Sequence, residues 1–486
     1  MENNIRLSNK AEKTPLSTLI AYSIGFAPSA VLCYNAFYIY YMYFMTSVAG
    51  VSALLAGWVS LGAITWDAIS DPIIAYKSDN CRWKAGRRIP FMTIGVVLMS
   101  ISLVLIFTVF DLPQSWKAVY FMVMTIFFWT GATMWDIPHN ALGAELVTKQ
   151  AQREKLRIGT TIVDGIGLMF IAYVVPNMSD YLIAHTDSEA KAWQLTMIII
   201  AAIALVIGLT VCAILKNKEP KIDWAAQDAA SKKENIKRDG VGKTIVELFK
   251  LKPYKFLCST VVAVNIGSVC MQSGIVIFMT SVCGFSAAQQ AIVLVCHYAT
   301  HLVCGVVIGG GLQKKFGSRK IFIGGLAISV LASLIFPNFM DVTSVPVMIV
   351  YVVLQAIGVR VLWLYCYIYA YGVAMLDDIK NNKHREGNVV GFMSLGLKLG
   401  AAVATWLIGF VLELFGYDGT LVAQSAHALT GIRIVVGGMP VLFIGIGLIC
   451  LIFYPMRDKD TVAIEEAIEL RDEGKAYSTE KFAHLM

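Results

Sequence analysis

Apolar positions along this chain fall in long unbroken runs, not in the alternation of a half-buried strand or the narrow stripe of a surface helix. Read with a window of about 19 residues, twelve runs are long enough to cross a bilayer, since about 20 residues of helix span about 30 Å of hydrocarbon. They centre near residues 30, 63, 100, 130, 170, 203, 268, 298, 328, 360, 402 and 442. The longest polar interruption, residues 216–252, contains KNKEPKIDWAAQDAASKKENIKRDG and divides the runs six and six. The pattern predicts an all-α integral membrane protein with a segment 1–16, a six-helix bundle over 17–215, a loop over 216–252, a second bundle over 253–455 and a tail over 456–486. That tail carries VAIEEAIELRDE, a short amphipathic helical pattern.

Composition agrees with a membrane as solvent: 57% of the 486 residues are hydrophobic and 15% charged, with a mean hydropathy of +0.66. The basic residues follow the even-numbered runs. Lys77, Arg82, Lys84, Arg87 and Arg88 come after the second, Lys149 to Arg157 after the fourth, and Lys216 to Lys255 after the sixth. Lys314, Lys315, Arg319 and Lys320 come after the eighth, and Lys380, Lys383 and Arg385 after the tenth. About 35 of the 40 Lys and Arg thus lie on one side, which the positive-inside rule makes cytoplasmic. The net charge of +7 therefore reports topology and excludes a nucleic-acid patch. The opening segment is polar and basic, and the run after it is too long and too aromatic for a cleaved signal peptide, so both termini are expected in the cytoplasm. The ten Cys show no metal-ligand spacing and sit mostly inside the runs, as small core residues do.

The halves resemble each other. YFMTSVAGVSA at 43–53 is echoed by IFMTSVCGFSA at 277–287, an offset of 234, and each copy runs through a further span into a basic turn, SDNCRWKAGRR at 78–88 and LQKKFGSRK at 312–320. Two six-span halves related as parallel repeats are how major facilitator transporters are built, with the substrate site at the repeat interface near mid-membrane. The turn after span two resembles that superfamily's signature.

Few ionisable side chains remain inside the spans, and each is costly enough there to need a reason. Asp67 and Asp71, in ITWDAISDP, stand at i and i+4 on one helix face, and Pro72 loosens the backbone just after them. Two like charges this close in low dielectric do not both stay ionised unless a cation joins them or one takes a proton. That defines a coupling-ion site for Na⁺ or H⁺. Asp136, in TMWDIPHN, is one turn beyond Thr133, whose hydroxyl can complete an oxygen shell. Lys398, in MSLGLKLGAA, must find a carboxylate or a water-filled cavity, and a Lys that replaces a departing Na⁺ would keep the empty site neutral. The competing reading, a buried ion network that only fixes packing, is the weaker one, because such networks add little stability over apolar packing.

WDAISDP, RWKAGRRIPF, MWDIP and KNNKHREGNVVGFMSLGLKLG together resemble the glycoside-pentoside-hexuronide:cation symporter family, the melibiose-permease-like branch of the major facilitator superfamily, over most of the chain. The resemblance implies that Asp67 and Asp71 are cation-binding aspartates, Thr133 a further cation ligand, Lys398 the lysine near that site, and Asp136 the carboxylate that hydrogen-bonds sugar hydroxyls. Three of the four sugar contacts of the melibiose permease type are changed. Its acid on helix one is replaced by Val31, its stacking aromatic by Asn140 and its helix-five Arg by Thr161. The substrate is then not an ordinary galactoside.

Other polar groups are candidates for recognition. Asp164 is one turn from Thr161, Arg360 lies in mid-span, and His297 and His301 share a helix face. By the repeat offset His301 holds the place of Asp67, since 67 + 234 = 301. Arg360 and a His could hold a carboxylate or sulfate, which suits a uronide or another anionic substrate. Against this, Arg360 could pair with Asp164 or Asp136 while the histidines bond neighbouring helices. A zinc site at His297 and His301 lacks a third ligand. Trp363, with Tyr365, Tyr367 and Tyr369, and the cluster CYNAFYIYYMYF on the first span offer stacking faces.

The reading is a monomeric multi-pass symporter of the inner or plasma membrane, in contact with lipid, that couples uptake of a small glycoside or uronide-like substrate to Na⁺ or H⁺. No cofactor, nucleic acid or catalytic role is expected, since no HExxH, GxSxG or P-loop is present. The rival keeps the fold and carries a lysolipid or a steroid-like amphiphile.

Overall fold

The computed structural model describes residues 15–83, 86–147, 150–219, 241–381 and 385–485. The expectations for most of 1–16, for 220–240 of the central loop, and for Lys84, Lys149 and Lys383 fall outside the described residues. The described chain is helical. Its first six long helices are α1 (Leu16–Tyr41), α2 (Ala53–Asp79), α3 (Ile89–Ile106), α4 (Gln114–Leu146), α5 (Gln150–Ile183) and α6 (Glu189–Leu215). The next six are α7 (Lys252–Ser281), α8 (Ala287–Val307), α9 (Ser318–Phe339), α10 (Val345–Asn381), α11 (Glu386–Leu414) and α12 (Ala426–Ile452), and the tail forms α13 (Asp458–Asp472). Among the described residues eleven helices, all of α1–α12 but α8, are long and apolar enough to cross a membrane. Part of what reads as a loop in 216–252 is a ten-residue amphipathic helix, Val241–Lys250, which turns Leu248 fully inward.

The sequence repeat is a structural repeat. Gly50 and Gly284 take φ of +63° and +69°, a region that suits glycine, and both end the turn after a long helix. Two residues on, Ser52 and Ser286 cap α2 and α8, each accepting from the backbone N–H three residues later at 3.4 Å. Identical local chemistry thus starts equivalent helices in the two halves.

Packing follows which faces are apolar on all sides. α7 is buried along nearly its whole length, against α11 and α12, while α2, α4 and α9 keep large apolar side chains such as Ile69, Ile73, Phe127 and Leu331 on the outside. α3 lies along α4 and α6, and α9 along α10. Contacts between the first six and last six helices run mainly through two pairs, α2 with α11 and α5 with α8.

Far from the basic loops these halves are clasped. Ser47 Oγ is 3.1 Å from the Tyr417 hydroxyl, Ser273 donates to the Tyr38 carbonyl at 2.8 Å, and the Leu54 N–H donates to Glu413 at 3.3 Å. The α2 and α11 backbones meet at Gly57 and Gly409, where a Cβ on Gly57 would fall 3.0 Å from the Trp406 carbonyl oxygen. At the basic end, the turn after α2 is held within its own half: Arg87 and Arg88 both pair with Glu145 at the end of α4, and their N–H groups donate to Glu219 beyond α6. Arg385 likewise pairs with Asp377 and Glu247, and Arg471 ties α13 to Asp378 on α10.

Candidate functional site

Asp67 and Asp71 occupy successive turns of α2. Asp67 is 2% exposed, whereas the Asp71 side chain keeps 29% of its surface open. Pro72 follows at once and has no N–H, so the Ala68 carbonyl loses its helical donor there. From α4, the Thr133 hydroxyl lies 2.7 Å from Asp67 Oδ1 and 3.2 Å from Asp71 Oδ1. From α11, Lys398 Nζ lies 2.6 Å from Asp67 Oδ2 and 2.5 Å from Asp71 Oδ2. Sequence separation is no guide to this cluster: Lys398 and Asp71 are 327 positions apart.

The charges do not balance. Two carboxylates face one ammonium, so the cluster carries an excess negative charge unless one carboxyl holds a proton. The carboxylate oxygens and the Thr133 hydroxyl form a hard, oxygen-only donor set of the kind an alkali cation takes once the ammonium withdraws.

Asp136, the next polar group along α4, accepts hydrogen bonds from Ser29 and Tyr34 of α1. These two donors are five residues apart and would diverge on an ordinary helix, at about 100° per residue. α1 runs as wide π turns over Ala27–Cys33 and Ala36–Tyr41, which bring an i, i+5 pair toward one face. Beside them the ring of Tyr34 lies 5.1 Å from that of Trp129, and Phe37 and Tyr38 pack on the same indole. Ser29 and Trp129 are the members of this site that sequence reasoning missed, and Tyr34 was seen only as part of a stacking run, not as a donor to Asp136. The aromatic run on the first span was visible, but its π winding was not.

Among the described residues, no hydrogen bond or ion pair joins the other candidates to this cluster. Val31 is fully buried, Asn140 is exposed, and the Thr161 hydroxyl is spent on the Arg157 carbonyl one turn back at 2.9 Å. Trp363 is 44% exposed on α10. Asp164 of α5, His301 of α8 and Arg360 of α10 form a second group. Asp164 and Arg360 are close enough for their charges to interact. Among the described residues, no ion pair ties Arg360 to Asp164 or to Asp136. His297 Nδ1 bonds the Val352 carbonyl of α10 at 2.9 Å. Arg360 Nε and His301 Nε2 are buried without a hydrogen-bond partner.

The family profile described as MFS/sugar transport protein matches residues 22–458. The chain belongs to this melibiose-permease-like symporter family. Among the relatives of this chain is the glucuronide carrier protein homolog of Escherichia coli K12, 23% identical, with 93% of this chain and 95% of that one covered. Another is the sodium-dependent lysophosphatidylcholine symporter 1 of Xenopus tropicalis, 21% identical over 94% of this chain and 90% of that one. The fold matches the crystal structure of a bacterial homolog of the human lysosomal transporter Spinster, inward-facing and unoccupied, with a TM-score of 0.63, 14% identity and coverage of 93% and 97%. This family member is therefore a multi-pass membrane transporter and not an enzyme.

Proposed function

We propose that this chain couples uptake of a glycoside or uronide-like sugar to a cation, with Asp67, Asp71 and Thr133 as ion ligands and Asp136 as the acceptor for a substrate hydroxyl. In this reading α8 is the twelfth membrane span, two six-helix bundles flank the 216–252 segment, both termini are cytoplasmic, and the membrane is the inner or plasma membrane. The observation that carries the reading is Lys398, whose ammonium sits between the two carboxylates at 2.5 and 2.6 Å. It is a cation tethered to α11 in the place where a free cation would go.

Coupling follows from that exchange. When Na⁺ or a proton neutralises the dyad, Lys398 is released, and the tie between α2 and α11 is loosened where the halves meet. Substrate hydroxyls take over the Asp136 oxygens now held by Ser29 and Tyr34, with the Trp129 and Tyr34 rings as a stacking surface. Without the cation the dyad stays charged, and closing the cavity over a charged dyad is costly. The clasp remote from the basic loops suits a state closed toward the outside.

The test is uptake of 4-nitrophenyl β-D-glucuronide into membrane vesicles under an imposed Na⁺ or H⁺ gradient. Asp71→Asn should abolish accumulation against the gradient while sparing downhill exchange, and normal accumulation by the variant would sink the assignment. The second reading, a lysolipid cargo, is favoured by buried, apolar Val31 where a sugar-binding acid is expected, and by the lysophosphatidylcholine symporter among the relatives. It predicts uptake of lysophosphatidylcholine and none of the glucuronide.

A further inference from the structure

The offset of 234 that relates the two sequence repeats maps the ion cluster onto the second polar group, residue for residue. Asp67 maps to His301 (67 + 234), Asp71 to Gly305 (71 + 234), and Lys398 to Asp164 (398 − 234). The helices correspond as well, because α5 packs along α8 as α11 packs along α2. The charges are inverted. Where the first site has a carboxylate on α2 and an ammonium on α11, the second has an imidazole on α8 and a carboxylate on α5.

Gly305 explains how a guanidinium fits. With no side chain where the first site has that of Asp71, there is room for Arg360 to reach across from α10. A Cβ on Gly305 would fall 2.5 Å from Arg360 Nη2 and 2.9 Å from its Nε. The two sites differ in one respect. In the first, the basic group is satisfied by both carboxylates. In the second, Arg360 Nε and His301 Nε2 are buried without a hydrogen-bond partner, and among the described residues no ion pair joins Asp164 to Arg360.

An Arg stays protonated at any accessible pH, and leaving a buried N–H of its guanidinium without an acceptor, as at the Nε of half-buried Arg360, is costly. Its planar fork fits a carboxylate, sulfate or phosphate in bidentate fashion. We infer that Arg360 and His301, seated over Gly305 between α8 and α10, form an anion site that takes the acidic group of the transported substrate. The inference rests on the symporter reading and narrows its substrate to anionic compounds. Asp164 is the internal competitor, the counterpart of Lys398: it supplies negative charge near Arg360 while the site is empty and is displaced or outbid when substrate binds. One half of the molecule thus reads the cation, and the pseudo-symmetric place in the other half reads the anion.

The experiment is binding to the purified full-length protein in lipid nanodiscs, using two matched pairs. One is 4-nitrophenyl β-D-glucuronide against the neutral 4-nitrophenyl β-D-glucoside, and the other is oleoyl lysophosphatidic acid against monooleoylglycerol. In at least one pair the charged member should bind about tenfold tighter or more. Arg360→Gln should level that pair, Arg360→Lys should keep part of the preference, and Asp164→Asn should enlarge it. Gly305→Ala, which leaves the charge in place and crowds the guanidinium, should reduce the preference, so the result does not hang on the folding of one variant. Equal binding within both pairs, or a preference that survives Arg360→Gln, overturns the anion site. A preference confined to the lipid pair keeps the site and replaces the sugar cargo. Thermal stability is read in the same samples with Na⁺ and with falling pH. If neither affects it while the charge preference still follows Arg360, the coupling reading fails and the anion site stands.

Discussion

The Lys398 ammonium and the Asp71 carboxylate meet at 2.5 Å, joining α11 to α2 across the interface between the two halves. Because each helix belongs to a different half, whatever ion stands at this point acts on the packing between them and not only on its own ligands.

The first prediction concerns Lys398→Gln. It leaves two carboxylates facing each other with Asp67 almost fully buried. Breaking a buried pair costs about 3–5 kcal/mol, and the low end applies here because a third of the Lys398 side chain is exposed. The variant should melt earlier than the parent in Na⁺-free buffer at neutral pH. A ligand of the folded state restores stability by mass action, so the deficit should shrink as Na⁺ rises if Na⁺ is the coupling ion, or as pH falls if it is H⁺. Melting curves over both titrations name the ion. A variant that responds to both as the parent does removes Lys398 from the site.

Thr133 tests the oxygen shell. Its hydroxyl contacts both aspartates, at 2.7 and 3.2 Å. Thr133→Val keeps the shape and deletes the oxygen, and one such contact is worth about 1 kcal/mol, or about fivefold in affinity. The cation concentration that half-activates glucuronide uptake should rise by about that factor, while Thr133→Ser should behave as the parent does. An unchanged half-activation in Thr133→Val would falsify its role as a ligand.

These residues could be found from sequence because charges are scarce in the spans, and Asp67 and Asp71 share a face at i, i+4 by simple helical geometry. What Lys398 pairs with was not legible. Its partners are 327 and 331 positions away, and a single chain does not say which faces of α2 and α11 meet. Ser29 went unseen because it is not expensive in a membrane and does not stand out, and the bond from Tyr34 to Asp136 went unseen because π winding moves Tyr34 to a face that a 3.6-residue period would not predict. Gly305 was silent since its contribution is the space it leaves. The helix at Val241–Lys250 was hidden by the surrounding lysines, which read as a linker although Thr244 and Leu248, both buried, fall one helical turn apart.

Asp136 gives a prediction that separates substrate from ion. Both of its neighbours on α1, Ser29 and Tyr34, donate to it, so both carboxylate oxygens serve as acceptors. Asp136→Asn replaces one of those acceptor oxygens with an NH2 that cannot accept and removes the charge that strengthens both bonds. Binding of 4-nitrophenyl β-D-glucuronide should weaken about tenfold or more, the cost of a charge-assisted hydrogen bond. The stability gained from the coupling cation should persist, because its ligands lie on α2 and at Thr133. Loss of the cation response together with sugar binding would mean that the ion and the sugar share one site.

The last prediction addresses the clasp. Gly57 of α2 and Gly409 of α11 let two backbones touch, and a Cβ on Gly57 would lie 3.0 Å from the Trp406 carbonyl and 3.3 Å from Gly409 Cα. Neither neighbour is a flexible side chain that can swing aside. Gly57→Leu therefore penalises the clasped state by about 1–3 kcal/mol, the usual cost of overpacking. That penalty shifts the balance toward a state open at this end by about fivefold to a hundredfold. Ser47, which bonds Tyr417 across the same junction at 3.1 Å, is the place to read it. With the ten native cysteines replaced, Ser47→Cys should react with a membrane-impermeant maleimide several-fold faster in the Gly57→Leu background. Cation and substrate together, which favour movement of the halves, should raise labelling in the parent and add little in the variant. Equal labelling in both backgrounds would mean that the glycine contact is incidental, and that Ser273 with Tyr38 or Glu413 with Leu54 holds this end closed.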